Sequence, residues 1–101
     1  MAIYTNVTTS PATTVLIEKG SAVGDNISKI TIANFSNNAA DAIVNLFLND
    51  GSAVDLYLCK NVAIPKGATL VLEDNLSFKV KEYSLKMYST GADPALTVII
   101  K

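Results

Sequence analysis

The stretch AIVNLFLNDGSAVDLYLCK, residues 42–60, carries the clearest structural signal in the chain. Apolar residues recur at every second position in its first half, at Val44, Leu46 and Leu48. The pair Asp50-Gly51 follows, and it accepts the positive φ angles that a tight turn between two strands requires. The residues AVDLYLCK after the turn alternate again, with Leu56 and Leu58 opposite Tyr57 and Cys59. The stretch therefore predicts a β-hairpin.

The same pattern of strands and turns continues through the rest of the chain. Runs rich in Val, Ile, Thr, Tyr and Phe are interrupted by Gly, Pro, Asn and Asp about every ten residues. Pro65-Lys66-Gly67 predicts the central part of one of the turns, because Pro fixes φ and Gly accepts a positive φ. The predicted strands are residues 13–19, 27–35, 42–50, 53–60, 68–74, 76–80, 82–90 and 95–101, with a further piece around 2–8.

Strands joined by such short connections must be largely antiparallel, since parallel pairs need long crossovers. We therefore expect one all-β domain over residues 1–101, a single antiparallel β-sandwich of about seven or eight short strands. Both an Ig-like and a jelly-roll-like arrangement fit this spacing. A short helix within residues 37–48 is the one helical alternative, because Asp41 could cap it.

The composition narrows the classes of function. Half of the 101 residues are apolar, only 17% are charged, and the net charge is −1. The eight cations are scattered, so we expect no nucleic-acid binding. No apolar run is long enough to cross a membrane, and the N-terminus lacks the pattern of a signal peptide. The lone cysteine, Cys59, excludes an internal disulfide and fits folding in a reducing cytoplasm.

The candidates for chemistry are few. The chain has no histidine, which removes Ser–His and Cys–His catalysis. Glu73 and Asp74 are adjacent carboxylates, but consecutive side chains on a strand point to opposite faces. Asn49, Asp50 and Asp55 bracket the hairpin and could supply oxygens to Ca²⁺, yet they lack the spacing of an EF-hand. We therefore expect a protein that is not an enzyme and has no cofactor and no metal site.

Several predicted strands carry apolar residues on both faces, whereas a sandwich needs only one apolar face per strand. The second-face residues are Ile43, Phe47, Tyr57, Val71, Tyr88 and Ile99. Their spread over several strands favours an outer surface that a neighbouring subunit covers. The alternative is ordinary β-propensity on a solvent face. We expect a homo-oligomer, in the first instance a trimer, held together by these side chains.

Exposed tyrosines suggest a second class of function. Sugar-binding modules stack their ligands on exposed aromatic rings. Tyr4, Tyr57 and Tyr88 are the candidates, although tryptophan is absent. The alternative reading of these tyrosines is a position at the edge of the core or in a subunit interface.

Two long segments also carry a family resemblance. IPKGATLVLEDNLSF (residues 64–78) and YSLKMYSTGADPALTVIIK (residues 83–101) resemble small virion proteins of tailed bacteriophages, especially marine and cyanobacterial ones. The start MAIYTN, the segment ITIANFSNN and the hairpin LFLNDGS belong to the same overall pattern.

The resemblance implies a β-sandwich that serves as a building block of the particle. It would be a capsid decoration protein or a component of the neck, tail or fibres. It implies that the protein is made in the cytoplasm of the host bacterium and ends up in the virion. Its partners there would be other virion proteins, such as the major capsid, neck or tail proteins. It implies no active site. A module that binds glycans on the host surface remains the alternative.

Overall fold

In this computed structural model, strands with alternating apolar and polar side chains form two four-stranded antiparallel sheets. The structure describes residues 3–8, 12–20, 26–36, 41–51, 55–73, 76–77, 79–91 and 95–101. The strands are β1 (Ile3–Val7), β2 (Ala12–Ile17), β3 (Asn26–Ile27), β4 (Ile30–Asn34), β5 (Ala42–Asn49), β6 (Asp55–Ile64), β7 (Thr69–Leu72), β8 (Leu76–Ser77), β9 (Ser84–Thr90) and β10 (Leu96–Ile100). Sheet A has the order β1-β10-β4-β7, and sheet B has the order β2-β9-β5-β6. The all-β antiparallel prediction is confirmed.

The strand pairing follows a simple rule that identifies the topology. Each strand pairs with the strand equally far from the other end of the chain: β1 with β10, β2 with β9, β3 with β8, β4 with β7 and β5 with β6. The chain is thus one long antiparallel ribbon whose tip is the β5–β6 hairpin. The ribbon is rolled so that β10 lies beside β4 and β9 lies beside β5. This is the strand order of a jelly roll, the second of the two predicted arrangements.

The core lies between the inner faces of the two sheets. Every second residue of the central strands contributes to it, as the period-two rule requires. The most fully buried apolar side chains are Ile17, Ile27, Ile30, Ile32, Val44, Leu46, Leu85, Met87, Leu96, Val98 and Ile100. Each such side chain stabilises the fold by about 1.5–3 kcal/mol relative to exposure. The alternating apolar residues Val44, Leu46 and Leu48 of the predicted hairpin are therefore confirmed as buried positions.

Strand β6 departs from the predicted alternation. It runs four residues beyond the predicted end at Lys60, and it contains two bulges against β5. Cys59 pairs with Leu46 and Tyr57 pairs with Phe47, so Leu58 is an extra residue between them. The prediction placed Tyr57 and Cys59 on one face, and it was wrong because one inserted residue reverses the alternation. Cys59 packs against the core, whereas Tyr57 lies on the outer face.

The predicted turns can be compared with the structure at two places. Ala68 N–H donates to Pro65 O at 2.9 Å, so the predicted turn exists. Pro65 is its first residue, and not one of its central residues as predicted, because this hydrogen bond leaves only Lys66 and Gly67 at the centre. Gly67 has a φ of 78°, which explains the need for glycine there. Strands β5 and β6 form the predicted hairpin, although residues 52–54 lie outside the described part of the chain.

Two further predictions have mixed outcomes. The segment from Ala42 to Asn49 is a strand, so the helical alternative does not hold there, and residues 37–40 lie outside the described ranges. The strand predicted over 76–80 is reduced to Leu76–Ser77, and Val80 lies in a turn. Phe78 and Asp74 lie outside the described residues.

Candidate interaction surfaces

The outer face of sheet B carries a row of side chains that crosses all four strands. Backbone register places Val15 of β2 opposite Lys86 of β9, Lys86 opposite Phe47 of β5, and Phe47 opposite Tyr57 of β6. Tyr57 is 47% exposed and Val15 is 43% exposed. In the next row, Tyr88 is also exposed. We call the exposed large apolar side chains of this face the sheet B patch: Val15, Tyr57 and Tyr88.

Phe47 occupies the centre of the same face but is covered from within the chain. Its ring centroid lies 5.5 Å from that of Tyr57, with a tilt of 47° between the planes. Lys60 Nζ lies 5.0 Å from the centroid of the Tyr57 ring, a cation–π arrangement. Phe47 is consequently only 8% exposed, and its side chain acts as a support for Tyr57.

Asn45 braces this face at the bulge of β6. Its Oδ1 accepts a hydrogen bond from the backbone N–H of Asn61 at 2.9 Å. Its Nδ2 donates to the backbone O of Tyr88 at 3.3 Å. A buried amide thus links β5 to both of its neighbouring strands.

The hairpin end of the face is polar and well connected. Asn49 Nδ2 donates to Asp55 Oδ1 at 2.6 Å, and Asn49 Oδ1 accepts from Gly51 N–H at 2.8 Å. Lys86 Nζ donates to Asn49 Oδ1 at 3.3 Å, and Lys19 Nζ donates to the backbone O of Asp50 at 3.0 Å.

These contacts bear on the calcium alternative. Two ammonium groups approach the oxygens of Asn49 and Asp50, and their positive charges oppose a divalent cation. Within the described ranges no three His, Cys, Asp or Glu residues are close enough to hold a metal ion.

The outer face of sheet A carries a second row across four strands. Tyr4 of β1 lies opposite Ile99 of β10, Ile99 opposite Thr31 of β4, and Thr31 opposite Val71 of β7. Tyr4 is 69% exposed and Val71 is 42% exposed. The register alone explains why residues so distant in sequence form one row.

The structure divides the six predicted interface residues between two opposite surfaces. Four lie on the outer face of sheet B and two on that of sheet A: Ile43, Phe47, Tyr57 and Tyr88, and Val71 and Ile99 respectively. They are therefore not one continuous patch, and their role as an interface stays a prediction. Val15 on sheet B and Tyr4 on sheet A are exposed side chains that the sequence did not predict as interface residues, although Tyr4 is a candidate for sugar stacking. Val15 precedes the bulge at Leu16, and its position beside Lys86 follows from the pairing of β2 with β9.

The remaining candidates show ordinary surface or core behaviour. Glu73 lies 3.6 Å from Lys29 Nζ in an exposed ion pair, the kind that contributes about 0–1 kcal/mol. Burial raises the pKa of the Cys59 thiol, and a hydrogen bond with the Leu46 backbone offsets part of the increase.

A shallow groove of about 100 Å³ lies between the end of β6 and the start of β7, lined by Val62, Ala63, Ile64, Pro65, Ala68, Thr69 and Leu70.

Comparison with known proteins finds no family model, no curated protein and no solved structure that matches this chain. The resemblance to phage virion proteins therefore stays a prediction. Across the described ranges there is no helix with the length and apolar character to cross a bilayer.

Proposed function

We propose that the chain is a non-enzymatic structural subunit of a bacteriophage virion, either a capsid decoration protein or a component of the neck, tail or fibres. It acts by associating with copies of itself and by docking on other virion proteins. The sheet B patch is the observation that carries this proposal. Val15, Tyr57 and Tyr88 are large side chains that lie exposed on three strands of one sheet.

Burial of this patch supplies the driving force. Each large apolar side chain that becomes fully buried contributes about 1.5–3 kcal/mol. Association costs about 4–15 kcal/mol, so contacts beyond these three side chains must join the interface. The aromatic pair of Phe47 and Tyr57 and the bridging amide of Asn45 hold the face rigid before binding. Little conformational entropy is then lost when a partner docks.

The topology is a supporting argument of a weaker kind. Jelly rolls recur in viral capsid domains, although they also occur in lectins and cupins. Because a fold of this type occurs in proteins with many functions, the topology is compatible with a virion role but does not distinguish it from the other roles. Only 17% of the residues are charged. A surface with so few charges is suited to contact with other proteins, which also supports the proposal.

Light scattering coupled to size-exclusion chromatography tests the self-association. We expect the wild-type chain to be an oligomer, a trimer being the first expectation. Val15→Asp combined with Tyr57→Asp should shift it to the monomer, because two charges would be buried in the interface. Phe47 is a poor probe, since its ring is already covered within the chain and a charge there would damage the monomer.

Val71→Asp compares the two faces, because Val71 is a predicted interface residue that is similarly exposed but belongs to sheet A. If the sheet B patch forms the interface, this change should leave the oligomer unchanged. A monomeric wild-type chain, or a double variant with unchanged mass, would overturn the role of the sheet B patch.

The location on the particle needs a separate test. An antibody raised against the recombinant chain should label purified particles of the phage that encodes it, as seen by electron microscopy. The labelled position would distinguish capsid, neck, tail and fibres. Purified particles that lack the chain by mass spectrometry would contradict a virion role.

The glycan-binding alternative depends on the exposed tyrosines. Tyr4 and Tyr88 lie on opposite sheets, so their rings cannot form one stacking platform. The Tyr57 ring is already in contact with Lys60 and Phe47. A glycan array would support this alternative if it gave saturable binding that Tyr88→Ala abolishes.

A further inference from the structure

Three side chains on adjacent strands meet at the hairpin end of sheet B. Asn49 of β5 is buried, with 8% of its surface exposed. Its side-chain amide lies between Lys86 of β9, whose Nζ is 3.3 Å from Oδ1, and Asp55 of β6, whose Oδ1 is 2.6 Å from Nδ2. An amine, a carboxamide and a carboxylate are thus in contact in one line across three strands.

We propose that Lys86 and Asn49 form an intramolecular isopeptide bond, with Asp55 as the group that transfers the proton. The uncharged Lys86 amine attacks Asn49 Cγ, and a new Nζ–Cγ bond forms. The Cγ–Nδ2 bond breaks, and Nδ2 leaves as ammonia. The attacking amine gives up one proton to solvent, and Asp55, which contacts Nδ2, relays a proton from solvent to the leaving nitrogen. The reaction is an exchange of one amide for another, so it needs no oxidant, reductant or further reactant.

The geometry prepares the attack. Lys86 Nζ donates a hydrogen bond to Asn49 Oδ1 at 3.3 Å, which places the amine one bond away from the carbon that it attacks. The Asn49 amide cannot turn freely, because Asp55 holds its nitrogen and Gly51 N–H holds its oxygen. Fixing both reactants in this way replaces a bimolecular encounter with an intramolecular step, which accelerates reactions by many orders of magnitude.

The carboxylate is placed where proton transfer requires it. Asp55 lies opposite Asn49 in the β5–β6 register, and the short contact to Nδ2 puts it next to the leaving group. A carboxylate within hydrogen-bond reach of the proton that moves is the geometry of general acid–base catalysis. Asp55 is also exposed at the edge of the sheet, so the released ammonia has a path to solvent.

The bond would join strands that the ribbon does not pair with each other. Asn49 is at the end of β5 and Lys86 is on β9, 37 positions later in the sequence. Strands β5 and β9 meet only because the ribbon is rolled into the jelly roll. The crosslink would therefore lock the rolled state covalently, whether or not the chain belongs to a virion.

Intact-mass spectrometry under denaturing conditions tests the proposal. We expect the purified wild-type chain to be lighter than its sequence mass by one ammonia molecule. Protease digestion should then release a branched peptide that contains both Lys86 and Asn49. In Lys86→Arg, which keeps the charge but lacks the reactive amine, the full mass should be retained.

Two further variants complete the experiment. Asp55→Asn should slow or abolish the loss of ammonia. Lys60→Arg, a surface lysine on the same sheet, should lose ammonia as the wild type does. Circular dichroism confirms that each variant keeps its β structure, and the conservative Lys86→Arg change makes misfolding a poor explanation of retained mass.

Two results would overturn the proposal. The first is a wild-type chain that keeps its full mass after days of incubation. The second is a loss of ammonia that persists in Lys86→Arg, because succinimide formation at an asparagine releases ammonia without any lysine.

Discussion

Asn45 Oδ1 accepts a hydrogen bond from the backbone N–H of Asn61, at 2.9 Å, across the bulge of β6. Asn61 is the one non-glycine residue with a positive φ, 55°, in the described part of the chain. The bulge turns this N–H away from the normal ladder, and the Asn45 amide supplies the acceptor that the ladder no longer provides. The same amide donates to Tyr88 O, so one side chain ties three strands together.

Asn45→Ala should therefore destabilise the fold. The change leaves the N–H of Asn61 without its side-chain acceptor in a partly buried site, which costs about 1–3 kcal/mol. Urea denaturation followed by circular dichroism measures the free energy of unfolding. Asn6→Ala is the control, because Asn6 makes an exposed hydrogen bond with Thr97 and its loss should cost less than about 0.5 kcal/mol. Equal effects of the two changes would contradict the bracing role of Asn45.

Gly91→Ala should be more harmful than an ordinary glycine substitution. A Cβ at Gly91 would lie 2.6 Å from the backbone O of Asp41, and the φ of 120° disfavours any side chain. We expect a loss of about 2–4 kcal/mol, from overpacking and backbone strain together. Gly67→Ala provides the comparison, since Gly67 has a φ of 78° but no atom near the added Cβ.

Gly67→Ala should therefore cost only the backbone strain, about 1–2 kcal/mol. Thermal melts of the two variants, recorded side by side, give the order of stability. A Gly91→Ala variant that melts at or above the temperature of Gly67→Ala would show that the Asp41 segment moves aside without cost.

Ser89→Ala should leave stability unchanged or raise it. Ser89 is fully buried on the inner face of β9, and its Oγ has no hydrogen-bond partner among the described residues. A buried hydroxyl without a partner carries a desolvation penalty of about 1–3 kcal/mol, which alanine removes. The free energy of unfolding in urea, compared with that of the wild type, provides the test. A clear loss of stability in Ser89→Ala would reveal a hydrogen bond that offsets the penalty.

The sequence reveals the strands far better than their arrangement. Apolar residues alternate along β4, β9 and β10, and in each of these strands the alternating apolar set is buried. Alternation fails at β6, because each of two bulges, one at Leu58 and one at Lys60–Asn61, inserts one extra residue that no local signal marks. The jelly-roll order was one of two predicted possibilities, since close strand spacing sets antiparallel pairing but not which ribbon edges meet.

The surfaces were less predictable than the core, for a related reason. Phe47 and Tyr57 were both predicted on an outer face, but only the pairing of β5 with β6 shows that Tyr57 covers Phe47. Val71 and Ile99 proved to lie on the opposite sheet from these residues, because assignment to a sheet depends on long-range pairing. The contact of Lys86 with Asn49 has the same origin and leaves no trace in local sequence.

Cys59 should react slowly with thiol reagents in the folded chain. Burial raises the pKa of its thiol, so less of the reactive thiolate is present at mildly alkaline pH than in an unfolded chain. Alkylation rates measured with and without urea should differ, with the unfolded chain reacting faster. A folded chain that reacts as fast as the unfolded one would show that the thiol is open to solvent.

The same shift predicts the direction of a pH effect on stability. The folded chain holds the thiol proton more tightly than the unfolded chain does. Below the ordinary thiol pKa of about 8.5, the protonated thiol therefore makes its full contribution to stability. This contribution is lost as the pH rises from there through the higher pKa of the folded state. Cys59→Ala removes this contribution. Above pH ~8.5 the wild type should therefore lose stability more steeply with pH than Cys59→Ala does. Parallel pH profiles for the two proteins would mean that the thiol has the same pKa in the folded and unfolded chains.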